Sequence, residues 1–290
     1  MSKLGLGTVQ FGMNYGVANE TGKINLLEAK KIIQLAKEYN INLIDTAIAY
    51  GDSQKLIGKI GSSNFNIVSK LPPLPDRNIN IDGWVESMIK SSLNHLKINS
   101  LYGLLLHQPK DLLGESGKRL INALYKLKLN GLVKKLGISV YDCSEIDQVI
   151  DLFKIDIVQA PLNIIDRRIE TSGWLSKLNR AKIEVHTRST FLQGLLLMPN
   201  HKIPSKFNKW KILWDRWFYE LKKNNLSAAE VCLSYPLSLD EIDHVIIGVD
   251  SFNHLKDLIQ LSKFNPIKLD WSFMKSDDKL LIDPNNWSLF

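Results

Sequence analysis

Apolar residues follow two patterns that alternate along the chain. Eight short runs are nearly continuous in aliphatic residues, which is typical of strands buried on both faces. They are KLGLGT, NLID, NIVSK, LYGLLLH, VKKLGIS, DIVQA, KIEVHT and HVIIG. Between them, apolar residues recur every three or four positions, the spacing of a helix with one buried face. These stretches predict helices over 25–40, 53–60, 80–97, 114–129, 143–153, 209–224, 227–238 and 252–263.

The order of these elements predicts the fold class. Strict alternation of strands and helices favours a parallel sheet with right-handed crossovers. Eight repeats in 290 residues fit a closed (β/α)₈ TIM barrel better than an open doubly wound sheet. The dinucleotide fingerprint of open sheets is also missing, because the glycines of GLGTVQFG stand at 5, 7 and 12 and we expect no helix to start there. We therefore predict an α/β protein with a single barrel domain over 1–290.

Two segments exceed what a minimal barrel needs. Residues 194–208 form a long loop after the seventh predicted strand, and residues 264–290 form a C-terminal tail. Active sites of such barrels lie at the carboxyl ends of the strands, where long loops shape the pocket. Each segment either borders a pocket or straps the outside of the barrel.

Composition and charge narrow the function classes. The longest apolar runs, such as FLQGLLLM, are far too short to span a bilayer, and the first residues lack the order of a signal peptide. We therefore expect a cytoplasmic protein without a membrane partner. Cys143 and Cys232 lie too far apart in sequence to suggest a zinc or disulfide framework. The net charge of +7 comes mainly from scattered lysines without an arginine-rich stripe, so we expect no nucleic-acid partner.

Four ionisable side chains stand at or just after the ends of three consecutive predicted strands. Asp45 ends the second strand and Tyr50 follows it; Lys70 ends the third strand and His107 ends the fourth. Taken singly, each has an ordinary structural explanation, such as a capped turn or a buried, hydrogen-bonded histidine. In a barrel, however, all four would meet at the same rim. Such convergence favours a catalytic site.

The chemistry of these four groups is complementary. A phenol is a poor proton donor at neutral pH, and a neighbouring ammonium is expected to lower its pKa. A buried ammonium needs a carboxylate, and an imidazole can orient a substrate oxygen. We therefore expect Tyr50 to act as general acid, Lys70 to tune it, Asp45 to pair with Lys70, and His107 to position a carbonyl. No protein nucleophile is evident, so a cofactor would supply the reducing equivalent.

These motifs resemble the catalytic tetrad of the aldo-keto reductases. The matching features are the run DTAIAYG at 45–51, the lysine that ends NIVSK and the histidine of LLLHQP. The resemblance covers nearly the whole chain. It implies a (β/α)₈ barrel that binds NADPH, less often NADH, with no metal. It also implies a small-molecule substrate, an aldehyde or ketone that is reduced to an alcohol.

The resemblance implies residues for the nicotinamide end of the cofactor. Ser139 and Gln159 stand where the family contacts the carboxamide, although Val140 replaces a common asparagine. Arg188 stands where many members place a tyrosine that stacks on the ring. A planar guanidinium can also lie against a ring.

The segment IIGVDSFNHLKDL resembles the part of the family that binds the pyrophosphate and adenosine. It implies that Gly248, Val249 and Ser251 lie at a helix N-terminus suited to an anion. His254 aligns with an arginine that meets the 2′-phosphate in some members, and Asp257 aligns with a glutamate. Leu258 stands where the family frequently has an asparagine that contacts the adenine.

The runs LGTVQFGMNYGVAN, LNIIDRR and RSTFLQGLLLM resemble members associated with bacterial surface-sugar or polysaccharide biosynthesis. This resemblance implies a sugar-like or nucleotide-linked carbonyl substrate. Residues Gln10, Phe11, Tyr15 and Asn163 would then line the substrate pocket, unless they serve only packing at the barrel mouth.

Two other function classes remain open from the residues. His107, His186 and Asp45 would supply the ligands of a metal-dependent hydrolase or isomerase, but the first strand lacks an H-x-H motif. A barrel that binds the nucleotide without turning it over, as a sensor or partner subunit, is the second alternative.

Overall fold

The computed structural model describes residues 2–75, 79–265, 267 and 269–289, which form a closed barrel of eight parallel strands. Each strand pairs with the next, and β8 closes onto β1 with Gly7 opposite Gly248. The strands are β1 Leu4–Gly7, β2 Leu43–Asp45, β3 Asn66–Leu71, β4 Leu101–Leu106, β5 Val133–Ser139, β6 Ile157–Pro161, β7 Glu184–Arg188 and β8 His244–Gly248. The predicted (β/α)₈ barrel is confirmed, and each predicted strand lies within two residues of the observed one.

Helices follow the strands around the outside of the barrel. They are α1 Val9–Gly12, α2 Leu26–Glu38, α3 Ser53–Ile60, α4 Ile81–Leu96, α5 Gly114–Leu129, α6 Cys143–Val149, α7 Arg168–Thr171, α8 Trp174–Arg180, α9 Lys211–Lys223, α10 Ala228–Leu237, α11 Phe252–Leu261 and α12 Lys279–Ile282. At the start of α2, the Asn25 side chain accepts a hydrogen bond from the Glu28 N–H and caps the helix.

Four helices were not expected from the pattern: α1, α7, α8 and, in the tail, α12. A single turn, α1, starts directly after β1, so the expectation that no helix begins there is wrong. The crossover from β6 to β7 contains α7 and α8, which are only 4 and 7 residues long. Elements this short hold too few apolar positions to show a helical repeat. The helix predicted to reach residue 153 ends at Val149.

Apolar side chains fill two layers. The larger lies between the strands and the helices. The smaller occupies the barrel interior and consists of Leu43, Val68, Leu105, Ile157 and Ile246. Glycines make room for this interior layer: a Cβ on Gly137 would lie 2.1 Å from the carbonyl oxygen of Ile157.

A polar cluster closes the amino-terminal end of the barrel. Glu184 accepts hydrogen bonds from the Tyr102 hydroxyl, at 2.7 Å, and from the Lys135 ammonium. His186 and His244 stand opposite each other in the β7–β8 register, and their rings meet edge to face with centroids 5.0 Å apart. His186 Nε2 lies 3.5 Å from Glu184 Oε2, too long for a strong hydrogen bond. We call these five residues the floor cluster.

The two extra segments fold into short turns. The loop after β7 contains 3₁₀ turns at Leu192–Leu197, Asn200–Lys202 and Ser205–Trp210. In the tail, Trp271 packs edge-on against Trp217, and Trp287 packs edge-on against Phe207. Positions 266, 268 and 290 of the predicted tail lie outside the described residues. No helix in the described part of the chain is long and apolar enough to cross a membrane.

Candidate active site

A cavity of about 350 Å³ opens at the carboxyl ends of the strands. Side chains at or near the ends of six strands line it: Asp45, Lys70, His107, Ser139, Gln159 and Arg188. The loops after β1 and β7 border it, whereas no described residue of the 264–290 tail does. The cavity is therefore the meeting point that the barrel geometry predicts for the strand-end residues.

Lys70 and Asp45 form a buried ion pair. Lys70 Nζ donates to Asp45 Oδ1 at 2.5 Å and to the carbonyl oxygen of Thr46 at 3.1 Å. The Lys70 side chain is 1% exposed and that of Asp45 is 6% exposed. Burial lowers the pKa of Lys70, while the charge and hydrogen bond of Asp45 oppose that shift. The carboxylate thus keeps the ammonium charged in an interior that disfavours charge.

Gln159 satisfies the other oxygen of the same carboxylate. Its Nε2 donates to Asp45 Oδ2 at 2.7 Å, and its Oε1 accepts from the Ser139 hydroxyl at 3.4 Å. Ser139 and Gln159, expected from the resemblance at a carboxamide, therefore also belong to the network that fixes Asp45.

Tyr50 lies against both Lys70 and His107. Lys70 Nζ is 5.1 Å from the centroid of the phenol ring, and the His107 ring centroid is 5.9 Å away. Burial, followed by the charge of Asp45, raises the pKa of Tyr50 well above its usual value. The sequence-based expectation of a lowered pKa is therefore wrong, because burial and the charge of Asp45 outweigh the opposing charge of Arg188. The phenol is fully protonated at neutral pH.

His107 is neutral at the same pH. Burial, followed by the charge of Lys70, lowers its pKa to about 3. A neutral imidazole offers one N–H donor and one acceptor. The site thus presents a protonated phenol and a neutral imidazole to the cavity.

Arg188 is held against the cavity wall at the end of β7. Its guanidinium donates to the carbonyl oxygen of Val140 at 3.0 Å and to the Ser189 hydroxyl at 3.2 Å. It also lies 4.2 Å from the centroid of the Tyr141 ring. Tyr141 lines the cavity and was missed in the sequence, although it stands two residues after the end of β5.

The opposite end of the cavity is formed by the residues after β8. Gly248 touches Gln10 closely, since a Cβ at this position would lie 2.7 Å from Gln10 Nε2. Asp250, also missed in the sequence, accepts from Asn19 Nδ2 at 3.3 Å, and burial raises its pKa. Burial lowers the pKa of His254, against the opposing charges of Asp250 and Asp257.

The N-terminus of α11 adjoins this end. The Ser251 hydroxyl accepts from the His254 N–H at 3.1 Å, and the Phe252 N–H donates to Glu28 Oε1 at 2.6 Å. Val249 is fully buried and Asp257 is exposed, and neither lines the cavity. Of the residues expected here, only Gly248 and His254 reach it.

The expected substrate residues divide into two pairs. Gln10 and Tyr15 line the cavity. Phe11 is 1% exposed within the apolar core, and Asn163 is fully buried below the loop after β6. The Asn163 side chain accepts from the N–H groups of residues 165 and 166 and donates to the Ser189 carbonyl oxygen. The structure therefore does not bring Phe11 or Asn163 to the cavity, and the expectation for these two is wrong.

The loops after β1 and β7 meet above the cavity. A Cβ on Gly194, whose φ is +88°, would lie 2.6 Å from the Ala18 Cβ, so the two loops touch at backbone level. Lys202 Nζ pairs with Glu20 Oε1 at 2.9 Å nearby. We call this contact the roof.

The metal alternative is not supported by the positions of its residues. His186 stacks on His244 in the floor cluster and does not line the cavity that holds Asp45 and His107. Within the described ranges, no group of three histidine, cysteine or acidic residues is arranged to hold a metal ion.

Comparisons with known proteins agree with this geometry. The model of the Aldo/keto reductase family matches residues 3–279. Aldo-keto reductase AKR11C1 from Bacillus halodurans, in its holo form, is 20% identical with a TM-score of 0.74, covering 94% of this chain and 91% of that one. A Pseudomonas aeruginosa protein described as an aldo-keto reductase is 20% identical with a TM-score of 0.67. The match covers 90% of this chain and 89% of that one. At such identities the likeness shows the fold. No curated protein matches the sequence significantly.

Proposed function

Because the chain belongs to the aldo/keto reductase family, we propose that it reduces an aldehyde or ketone to an alcohol, with a bound nicotinamide dinucleotide as hydride donor. One observation carries the proposal. The buried Lys70–Asp45 pair lies beside the protonated phenol of Tyr50, and His107 lies on the same cavity. This arrangement suits the protonation of a carbonyl oxygen.

The cavity wall fits a polar, extended cofactor. Gln10 Oε1 and Thr190 Oγ1 are buried there without a hydrogen-bond partner among the described residues. Buried polar atoms of this kind usually have a partner. We propose that Ser139, Gln159 and Arg188 would hold the nicotinamide end, and that residues after β8 would hold the adenosine end. The resemblance implies NADPH, less often NADH.

The proposed chemistry uses Tyr50 as the general acid. Bound cofactor would supply the hydride that adds to the carbonyl carbon. The Tyr50 hydroxyl would transfer its proton to the carbonyl oxygen, so that a free alkoxide does not form. The raised pKa of Tyr50 ensures that the proton is present beforehand. The Lys70 ammonium would then stabilise the phenolate left behind.

His107 would position the substrate. As a neutral imidazole, it can donate one hydrogen bond to the carbonyl oxygen without competing as an acid. Its ring centroid lies 5.9 Å from that of Tyr50, so both groups can reach one oxygen atom.

We further propose a sugar-like carbonyl substrate, as in polysaccharide biosynthesis, and a cytoplasmic location where free cofactor is supplied. The polar side chains around the cavity, Tyr15, Tyr141 and Gln193 among them, support a substrate rich in hydroxyl groups. The subgroup resemblance of RSTFLQGLLLM points the same way.

The decisive experiment combines cofactor titration with a substrate screen. Cofactor fluorescence is followed while purified protein is titrated with NADPH and NADH, and aldehydes, ketones and sugars are then tested for cofactor oxidation. We expect saturable binding and turnover of at least one carbonyl. Absence of binding by both cofactors would overturn the proposal; saturable binding without turnover of any carbonyl would favour the sensor alternative.

A further inference from the structure

Charged side chains are unevenly distributed between the two ends of the cavity. Among the described residues that line it, the lysine and arginine side chains are Lys70 and Arg188, and both stand at the Tyr50 end. The opposite end carries the carboxylate of Asp250 and the imidazole of His254. We call this end, with Gln10, Asn19 and Gly248, the β8 corner. It therefore offers an acid, whereas the other end offers the guanidinium of Arg188 and an ammonium, Lys70, that is paired with Asp45.

Asp250 has acceptor capacity to spare. Its Oδ1 accepts from Asn19 Nδ2 at 3.3 Å, and Gln10 also donates to the carboxylate. An ionised carboxylate has about four lone-pair positions. Because the carboxylate is half-buried on the cavity wall, its remaining positions are available to a ligand that binds in the β8 corner.

The neighbouring helix terminus is already neutralised. The Phe252 N–H at the start of α11 donates to the Glu28 carboxylate at 2.6 Å, and the Ser251 hydroxyl caps the His254 N–H. Helix N-termini normally attract phosphate groups. Here the Glu28 carboxylate, which also pairs with Lys31 Nζ at 3.6 Å, already holds one of the first N–H groups.

The imidazole of the β8 corner does not compensate for the Asp250 carboxylate. Burial lowers the pKa of His254, although Asp250 and Asp257 act in the opposite direction, so burial disfavours a positive charge on this ring. Lys202, on the roof, is paired with Glu20. A dianionic group bound in the β8 corner would thus meet the Asp250 carboxylate without a facing ammonium or guanidinium from the cavity wall.

We propose that Asp250 makes this site select NADH over NADPH. Its carboxylate accepts a hydrogen bond from the 2′-hydroxyl of the adenosine ribose and repels a 2′-phosphate. A carboxylate that reads the 2′-hydroxyl is the general chemistry by which proteins choose NAD over NADP. The inference rests on the proposed function and reverses the NADPH preference that the family resemblance implies.

The test measures binding, independently of turnover. Dissociation constants for NADH and NADPH are measured by fluorescence titration at one fixed ionic strength, for the wild type, Asp250→Asn and Asp250→Ser. We expect the wild type to bind NADH at least about tenfold more tightly than NADPH. Two like charges about 4 Å apart near a protein surface repel each other by more than a tenfold change in affinity requires. Both variants should lose most of this ratio by binding NADPH more tightly and NADH more weakly.

The control removes an equal charge elsewhere. Asp240 is exposed and does not line the cavity, so Asp240→Asn should keep the wild-type ratio. As a second readout, adenosine 5′-diphosphate should displace NADH from the wild type at lower concentration than adenosine 2′,5′-bisphosphate.

The outcomes separate the two proposals. Equal affinities in the wild type, or an unchanged ratio in both Asp250 variants, would overturn this inference and leave the proposed function standing. Failure of both cofactors to bind would overturn the proposed function, and this inference with it. Circular dichroism melting of each variant ensures that the compared proteins are folded.

Discussion

Gln159 and Asp45 are joined across the barrel, with Gln159 Nε2 donating to Asp45 Oδ2 at 2.7 Å. This is the carboxylate oxygen that Lys70 does not contact. The two residues are 114 positions apart in sequence. Their contact fixes the plane of the carboxylate and thereby the place of the ammonium beside Tyr50.

Replacing Gln159 should therefore weaken both stability and activity. In Gln159→Leu, one buried oxygen of Asp45 loses its donor, which costs about 1–3 kcal/mol in the free energy of unfolding. We expect kcat to fall along with it, because Lys70 is less firmly placed. Urea unfolding and steady-state kinetics check this, with Gln34→Leu on the exposed face of α2 as control. Wild-type stability in Gln159→Leu would show that the contact is dispensable.

Removing the hydroxyl of Tyr50 should abolish reduction while sparing binding. Tyr50→Phe keeps the ring beside Lys70 and His107 but removes the proton donor, so we expect kcat to fall about a thousandfold. Cofactor affinity, measured by fluorescence titration, should change little. Tyr219→Phe, which removes an exposed phenol away from the cavity, serves as the control. If Tyr50→Phe retained wild-type turnover, another group would have to be the acid.

The Lys70–Asp45 pair should behave as one unit in stability. Lys70→Met leaves the Asp45 charge buried without its partner, which we expect to cost about 3–5 kcal/mol in the free energy of unfolding. The double variant Lys70→Met/Asp45→Asn removes both charges and should recover most of that loss, yet remain inactive. A double-mutant cycle from chemical unfolding measures the coupling. Purely additive losses would contradict a coupled pair.

The floor cluster should make stability depend on pH. Burial, followed by the charge of His186, lowers the pKa of His244 from about 6.5 to about 4. As the pH falls, His244 therefore binds a proton in the unfolded chain before it does so in the folded protein. Its contribution to the free energy of unfolding is present above about pH 6.5 and is lost as the pH falls towards 4. His107 acts in the same direction, because its folded pKa is about 3.

We expect His244→Gln to flatten this acid slope, which is at most about 1.4 kcal/mol per pH unit for one proton. Thermal unfolding between pH 4 and 7 measures it, and His201→Gln on the exposed loop serves as control. An identical slope in His244→Gln and wild type would assign the acid sensitivity elsewhere.

The sequence predicts those parts of the site that depend on position within a regular element. Asp45, Lys70 and His107 were found because parallel strands of a barrel end on one rim. Asp250 and Tyr141 were missed, because each lies in a loop shortly after a strand, where the local chain path decides whether a side chain faces the cavity. Phe11 in α1 and Asn163 in the loop after β6 were misplaced because they too lie just after a strand, where the local chain path decides which way a side chain points.

Energetic balances are also hidden from the sequence. The direction of the Tyr50 pKa shift depends on how burial and the charge of Asp45 compare with the opposing charge of Arg188, and only the folded arrangement sets that comparison. Likewise, the Glu28 carboxylate reaches the start of α11 from 224 residues away in sequence. The short α7 and α8 were missed because their apolar repeat is too brief to detect.

The apolar layer inside the barrel separates two sets of charges. Leu43, Val68, Leu105, Ile157 and Ile246 lie between the floor cluster and the Tyr50 network. The groups that shift the pKa of His244 belong to the floor cluster, apart from a backbone hydrogen bond with Lys3. Those that shift the pKa of His107 all line the cavity. The layer therefore keeps the two sets of charges apart, and Coulomb interactions weaken with distance. Protonation of the floor cluster can therefore destabilise the barrel without changing the protonation of Tyr50 and His107. Acid stability and the pH optimum of turnover can be altered separately.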